Sequence, residues 1–481
     1  MKKYCLIILI IAFILNGCQK DLDIVQDNQL SASNMWKTAD DVKSAVYGAY
    51  TYLRTSLKTN VMYWGEYRNG LWGPGTFGTL HDANMSSTVS ATMTSDNDYA
   101  SWTNLYTTIN ELNLIINKTG GMSINDDVKS FALCHAYFLR AYCYFWIGRI
   151  WGDAPLALEG FESTSQDMYL SRSPQSDVFN QVQSDLESAE QYASAAGTDK
   201  SMATQAAINM LKADFGLWMY SRQNGGDSYL TMSEAAISAL NLSTDKLESS
   251  YASIFNPATK KGTEIIWVIS QNYGESEGGF MRQQLWNGSY LQSQYRNTTV
   301  PIIENQWWEY TDKYIEILNS DSTDQRALVN HGSGPYGTNG ETVGWPNKYV
   351  GRLISGTRVL DDDIVLYRYA QAYLFDAEIK YIKKNYSGSL AALNVIANRA
   401  YGKASYYTDQ SAEAVLQAIV TENLKEFASE GNTWWTLIRT NTVWDYNDNL
   451  KSQQTKQNIL LWPITQSAIN RNRNLTQTEG W

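Results

Sequence analysis

The chain has 481 residues and carries 38 Lys+Arg against 49 Asp+Glu, a formal net charge of -11 at pH 7. That length is enough to bury a large core in one domain or several, and the acidity excludes partners held through clustered Lys and Arg, namely nucleic acid and anionic lipid headgroups. Tyr outnumbers Phe 32 to 12 beside 17 Trp, so the aromatic excess lies in rings with a polar tip, which serve wet binding surfaces as well as cores.

Lys2 and Lys3 precede an apolar run from Leu6 to Leu15 and then Asn16-Gly17-Cys18. A charged start, a short apolar stretch and a small residue before cleavage read as a signal peptide over 1–17. The run is too short to span a bilayer, which takes about 20 apolar residues. Leu15-Asn16-Gly17-Cys18 resembles a bacterial lipobox, which makes Cys18 the lipidated first residue of a polar tether over 18–35; plain secretion is the alternative. Residues 19–23, Gln-Lys-Asp-Leu-Asp, resemble the acidic signal that sends some lipoproteins to the outer face of the outer membrane.

One domain is expected over 36–481. Thr38 with Asp40 and Asp41 reads as a helix cap, and Val42, Ala45, Val46, Ala49, Tyr50 and Leu53 follow helical spacing. A second helix carries Trp102, Leu105, Tyr106, Ile109, Leu112 and Ile116. A third, 128–151, is apolar nearly all round and therefore expected to be buried. Helical patterns continue at 177–192, 203–221, 233–240, 364–383, 390–400 and 412–430, several as pairs joined by short Gly/Ser/Asn turns, and 264–269 reads as a strand. Trp307, Trp308 and Tyr310, on a helical pattern before Asp324-Gln325-Arg326, read as core.

Three Gly- and aromatic-rich segments lack helical periodicity: 60–99, 271–301 and 331–349. Loops this long inside a domain are usually functional, and aromatics argue against disorder. Their candidate ligand-binding side chains are Trp64, Tyr67, Arg68, Trp72, Phe77, Trp286, Tyr290 and Trp345. Cys134 and Cys143 lie roughly 13 Å apart at ~1.5 Å per residue on one helix, beyond the ~7 Å a disulfide allows, and read as buried thiols. Three histidines without zinc spacing give no metal site, and nothing indicates a structural calcium ion or another cofactor.

The motifs together resemble the SusD/RagB family. Phe138-Leu139-Arg140-Ala141-Tyr142 running to Trp151-Gly152-Asp153-Ala154-Pro155-Leu156 is similar to its helix ending in GDxPL. Tyr367-Arg368-Tyr369-Ala370 with Ala377-Glu378 resembles its RYA…AE helix, and Leu393-Asn394-Val395-Ile396 with Arg399-Ala400 its LNxI…RA helix. Leu461-Trp462-Pro463-Ile464 with Asn470 and Gln477 to Trp481 resembles its closing segment. Glu422, Glu426, Phe427, Glu430 and Gly431 match a further motif, but two usual arginines are Asn423 and Asn432, which puts local ion pairing in question. The resemblance implies a mostly all-α fold, TPR-like helix pairs in a right-handed superhelix with long aromatic-rich loops. It also implies lipid anchoring at the cell outer membrane, facing the exterior, and glycan capture for a SusC-like TonB-dependent outer-membrane transporter. Peptide capture, as in RagB-like members, is the alternative.

Aromatic faces stack on sugar C–H faces while Asn, Arg, Asp or backbone groups bind hydroxyls, and Trp72, Phe77, Arg68, Asn69 and Asp82 offer both on the first loop. A glycoside hydrolase needs two opposed carboxylates. No motif places such a pair, Glu66, Asp82 and Glu275 read as loop acids, and no GxSxG, HExxH or phosphate-binding loop occurs. Arg140 and Asp153 read as buried or capping groups. No enzyme activity is expected.

Overall fold

The computed structural model describes residues 35–75, 83–275, 281, 284–285, 306–336 and 341–481. Most of them are helical. Helix α1 (Ala39–Leu57) starts in a full capping box: Thr38 Oγ1 accepts from Asp41 N–H while the Asp41 carboxylate accepts from Thr38 N–H at 2.7 Å. Its expected apolar stripe of Val42, Ala45, Val46, Ala49 and Leu53 is buried. Helix α2 (Thr103–Thr119) and helix α3 (Asp126–Trp151) follow. α1, α2 and the next helix, α4 (Gln175–Gln191), all pack on α3, which is why α3 has no polar face.

Two later pairs share one device. In α5 (Gln205–Gln223) and α6 (Asp227–Ala239), Ser233 Oγ donates to Ala213 O at 2.9 Å. In α7 (Tyr369–Ile382) and α8 (Tyr386–Tyr401), Ser389 Oγ donates to Ala377 O at 2.7 Å. A small hydroxyl residue at each crossing lets two backbones approach closely. At the first crossing a Cβ on Gly216 would lie 2.4 Å from Ser233 Oγ. Helices α9 (Ala412–Glu426), α10 (Thr433–Arg439) and α11 (Gln466–Arg471) complete the set used below.

The expected 364–383 helix is divided. Ile364–Arg368 is a strand whose residues are all buried, paired antiparallel with Ile265–Ile269, and the helix begins only at Tyr369. β-branched Ile364 and Val365 suit this two-sided burial, which leaves no polar face for a surface helix. The 412–430 helix stops at Glu426, since Ser429 and Gly431 take positive φ values of 64° and 72°.

Two of the expected loops are partly sheet. Strand β1 (Trp72–Pro74) pairs with β2 (Trp308–Tyr310), and His331–Tyr336 forms a hairpin with Glu341–Pro346. Trp308 and Tyr310 are buried as expected, but on a strand rather than a helix.

The signature turn after α3 is chemically explicit. Gly152 takes φ 75° and ψ -117°, a conformation that glycine adopts without a Cβ penalty. Asp153 Oδ1 then accepts from Gln175 N–H at 2.8 Å and caps α4. Arg140 makes a bidentate pair with Asp185 at 2.9 and 2.6 Å and donates to Asn113 Oδ1. Both residues therefore have the buried and capping roles expected of them. Cys134 and Cys143 are buried free thiols.

Candidate functional site: an open cleft beside a closed aromatic floor

The side chains expected to face ligand are largely interior. Trp64, Tyr67, Arg68, Trp72 and Trp345 are each at most 2% exposed. Tyr67 stacks on Trp308 with centroids 4.1 Å apart, and Trp72 meets Tyr310 edge-on at 4.6 Å. Trp64 Nε1 donates to Tyr99 O, and Trp345 Nε1 to Asn347 Oδ1. Arg68 donates to the Ile459, Leu460 and Leu461 carbonyls between the rings of Trp434 and Trp462. Burial lowers its pKa to about 9.

The reason is strand pairing. The β1–β2 ladder and the hairpin bring Gly-rich sequence into close backbone contact, where a Cβ on Gly75 would lie 2.3 Å from Gln306 O, and at the end of the short helix Asn60–Gly65 a Cβ on Gly65 would lie 1.8 Å from Gly431 O. Glycine here serves packing rather than ligand access. Phe77, Asp82, Trp286 and Tyr290, with Cys18, lie outside the described residues. Glu275 is exposed as expected, whereas Glu66 is fully buried. Burial raises Glu66 to about 7 despite hydrogen bonds from Thr433 and Ser429, and raises Glu309 in β2 to about 8.

The charged motif residues converge on a second buried assembly. Arg326, Arg368, Arg399, Lys348 and Lys425 face Glu264, Asp324, Glu422, Glu426 and Glu430 within ion-pair distance. Five cations meet five carboxylates, so the cluster is neutral. Asn423 stands outside it, donating to Ile419 O and accepting from Thr436 Oγ1. The missing arginines leave no carboxylate of this cluster without a cation.

An open cleft of about 700 Å³ lies elsewhere, walled by α2, the segment 155–170 and the C-terminal stretch 465–475. One face of α2 builds the first wall. Tyr106 Oη donates to Pro155 O at 2.6 Å, Asn110 both accepts from Phe161 N–H and donates to Phe161 O, and Asn113 Nδ2 donates to Ala157 O. This polar stripe at i, i+4 and i+7 clamps the segment after the signature turn. The opposite wall is α11, started by Thr465 as its cap, with Asn472 Nδ2 holding Leu170 O at 2.8 Å. Tyr106 and Phe161 are half-buried, while Thr103, Thr107, Ser467 and Arg471 are exposed along the rim. Asp98 is the one carboxylate among its described lining residues.

Two family models match: one described as "SusD family" over residues 330–481 and one described as "Starch-binding associating with outer membrane" over 22–214. The first range contains α11 and the second the other two walls of the cleft. A curated relative, SusD-like protein P38 of Formosa agariphila, is 24% identical over 505 residues, covering 96% of this chain and 97% of its own. Among solved structures, NanU of B. fragilis is 26% identical with a TM-score of 0.81, covering 95% of this chain and 99% of its own. A SusD superfamily protein of Bacteroides fragilis is 25% identical with a TM-score of 0.80, covering 93% and 100%. SusD-type family models matching at both ends of the chain, with a shared fold over nearly all of it, place the chain in the SusD family.

Proposed function

We propose that this protein is a lipid-anchored, outward-facing outer-membrane lipoprotein that captures neutral oligosaccharide and passes it to a SusC-like TonB-dependent transporter. The observation that carries the ligand class is the lining of the cleft. It sets the aromatic rings of Tyr106 and Phe161 beside the hydroxyls of Thr103, Thr107 and Ser467. That combination suits a sugar, whose C–H faces take aromatic contact and whose hydroxyls take short polar side chains. A volume of about 700 Å³ falls within the usual ligand-site range of ~300–1,000 Å³. The family description of starch binding at the outer membrane supports the same reading. Phe77, Trp286 and Tyr290 remain proposed as a second contact surface for a longer chain. Cys18 supplies the anchor, and the polar tether over 18–35 gives the protein reach toward its transporter.

The test is a glycan array probed with the full-length, detergent-solubilised protein, beside an oligopeptide library. Selective retention of an oligosaccharide supports the proposal. Retention of peptides with no glycan signal replaces it with peptide capture.

A further inference from the structure

A second cavity, of about 360 Å³, lies between the C-terminal end of α5, the end of α3 and the segment 454–461. In a chain of net charge -11, its described lining holds Arg149, Arg222 and Lys456 and neither Asp nor Glu. Arg149 is accounted for. With Arg439 it faces Asp214 and Glu378, at 3.3 Å for Arg149–Asp214 and 2.6 Å for Arg439–Glu378, two cations against two carboxylates. Arg222 is not balanced in this way. Among the described residues its hydrogen bond is a 3.4 Å donation to Ile438 O, and burial lowers its pKa. Lys456 rests over the Trp481 ring, again without a carboxylate.

The competing explanation is that Arg222 compensates the negative end of α5. Carbonyls around the cavity already have donors other than Arg222. Met219 O accepts from Asn224 and Gly225 N–H, Ile438 O from Asn441 N–H, and Gly148 O from Gly152 N–H and Gln175 Nε2.

We infer that this cavity is an oxyanion-binding site, taking a sulfate or carboxylate group between Arg222 and Lys456. Guanidinium and ammonium donors give charge-assisted hydrogen bonds to such groups. Gln223 and Gln454 also line the cavity and can donate through their amides. The site stands apart from the glycan cleft, and binding of an inorganic anion requires no glycan, so either proposal can fail alone.

The test titrates the full-length, detergent-solubilised protein with sodium sulfate at constant ionic strength maintained with sodium chloride, reading tryptophan fluorescence and calorimetry. A saturable response is expected, weakened roughly tenfold or more in Arg222→Gln and less in Arg222→Lys. Lys451→Gln, an exposed lysine outside the lining, should leave it unchanged. Lys456→Gln is the second variant in case Arg222→Gln folds poorly, because Lys456 is exposed. Sodium glucuronate and glucose separate the sources. A response to glucuronate but not glucose marks a sugar-borne carboxylate, and a response to sulfate alone marks a free anion; both support the site. Absence of a saturable sulfate response in the unmodified protein, or unchanged affinity in the Arg222→Gln and Lys456→Gln variants, overturns it.

Discussion

Replacing Arg368 by Met should cost about 3–5 kcal/mol of stability, the usual consequence of removing one partner from a buried ion pair. Arg368 donates through Nε to Glu430 at 2.9 Å, through Nη1 to Glu264 at 2.8 Å and Glu426 at 2.6 Å, and through Nη2 to Glu430 at 2.8 Å and Glu426 O at 2.7 Å. All four residues are at most 3% exposed. Without Arg368 the five-against-five cluster carries a net negative charge that water cannot reach. Urea unfolding at neutral pH, followed by tryptophan fluorescence, measures the loss. Adding Glu430→Gln should return part of it, because the neighbours are coupled. The acid limb supplies a second reading. Burial alone would raise Glu426, but Arg399, Arg368 and Arg326 together hold it well below the usual carboxylate range. A depressed folded-state pKa gives stability that is present above the unfolded value and lost as pH falls toward the folded one. The unmodified protein should therefore weaken below about pH 4, and Arg368→Met more shallowly. A loss under about 1 kcal/mol, the range of exposed pairs, would refute the argument that these charges are buried and interdependent.

Trp72→Ala should lower stability by about 3–5 kcal/mol, as for other buried Trp truncations, and a thermal melt will show this whether or not ligand is present. Glu309→Gln should stabilise the protein at alkaline pH. Burial raises Glu309 to about 8, against hydrogen bonds from Tyr310 N–H and Gln306, so the unmodified protein loses stability as pH rises from the ordinary carboxylate range through that value. Urea midpoints at about pH 5 and pH 9 should differ less in the variant, by a few kcal/mol as an order of magnitude; equal pH dependence would mean Glu309 is hydrated. Cys18→Ala should abolish labelling by palmitate analogues and release the chain from membranes, and persistent labelling would place the anchor elsewhere.

The first helices are carried by local signals in the sequence. The Thr38/Asp41 cap, the stripe from Val42 to Leu53 and the apolar α3 rest on contacts within a few residues or on burial from every side. The Ile364–Arg368 strand was not legible, because a five-residue strand buried on both faces shows no alternation and runs directly into α7. The aromatic segments are ambiguous for a related reason. Glycines beside Trp64 and Trp72 suit a ligand loop and a tightly packed floor equally well until strand pairing is known. The cleft left only a faint trace, the Tyr106, Asn110 and Asn113 stripe, which looks like a solvated helix face. Its other walls join α2 only through tertiary contacts, 51 residues apart for Asn110 and Phe161 and across most of the chain for Arg471.

The most direct measurement is calorimetric titration of full-length protein and Phe161→Ala with the oligosaccharide that scores highest on the array. Phe161 is held in place by backbone bonds to Asn110, so its ring can be removed without releasing the segment. Phe161→Ala should weaken binding by roughly 1–3 kcal/mol with little change in the thermal midpoint. Undiminished affinity in Phe161→Ala, alongside loss in Trp286→Ala, would contradict the cleft as the capture site.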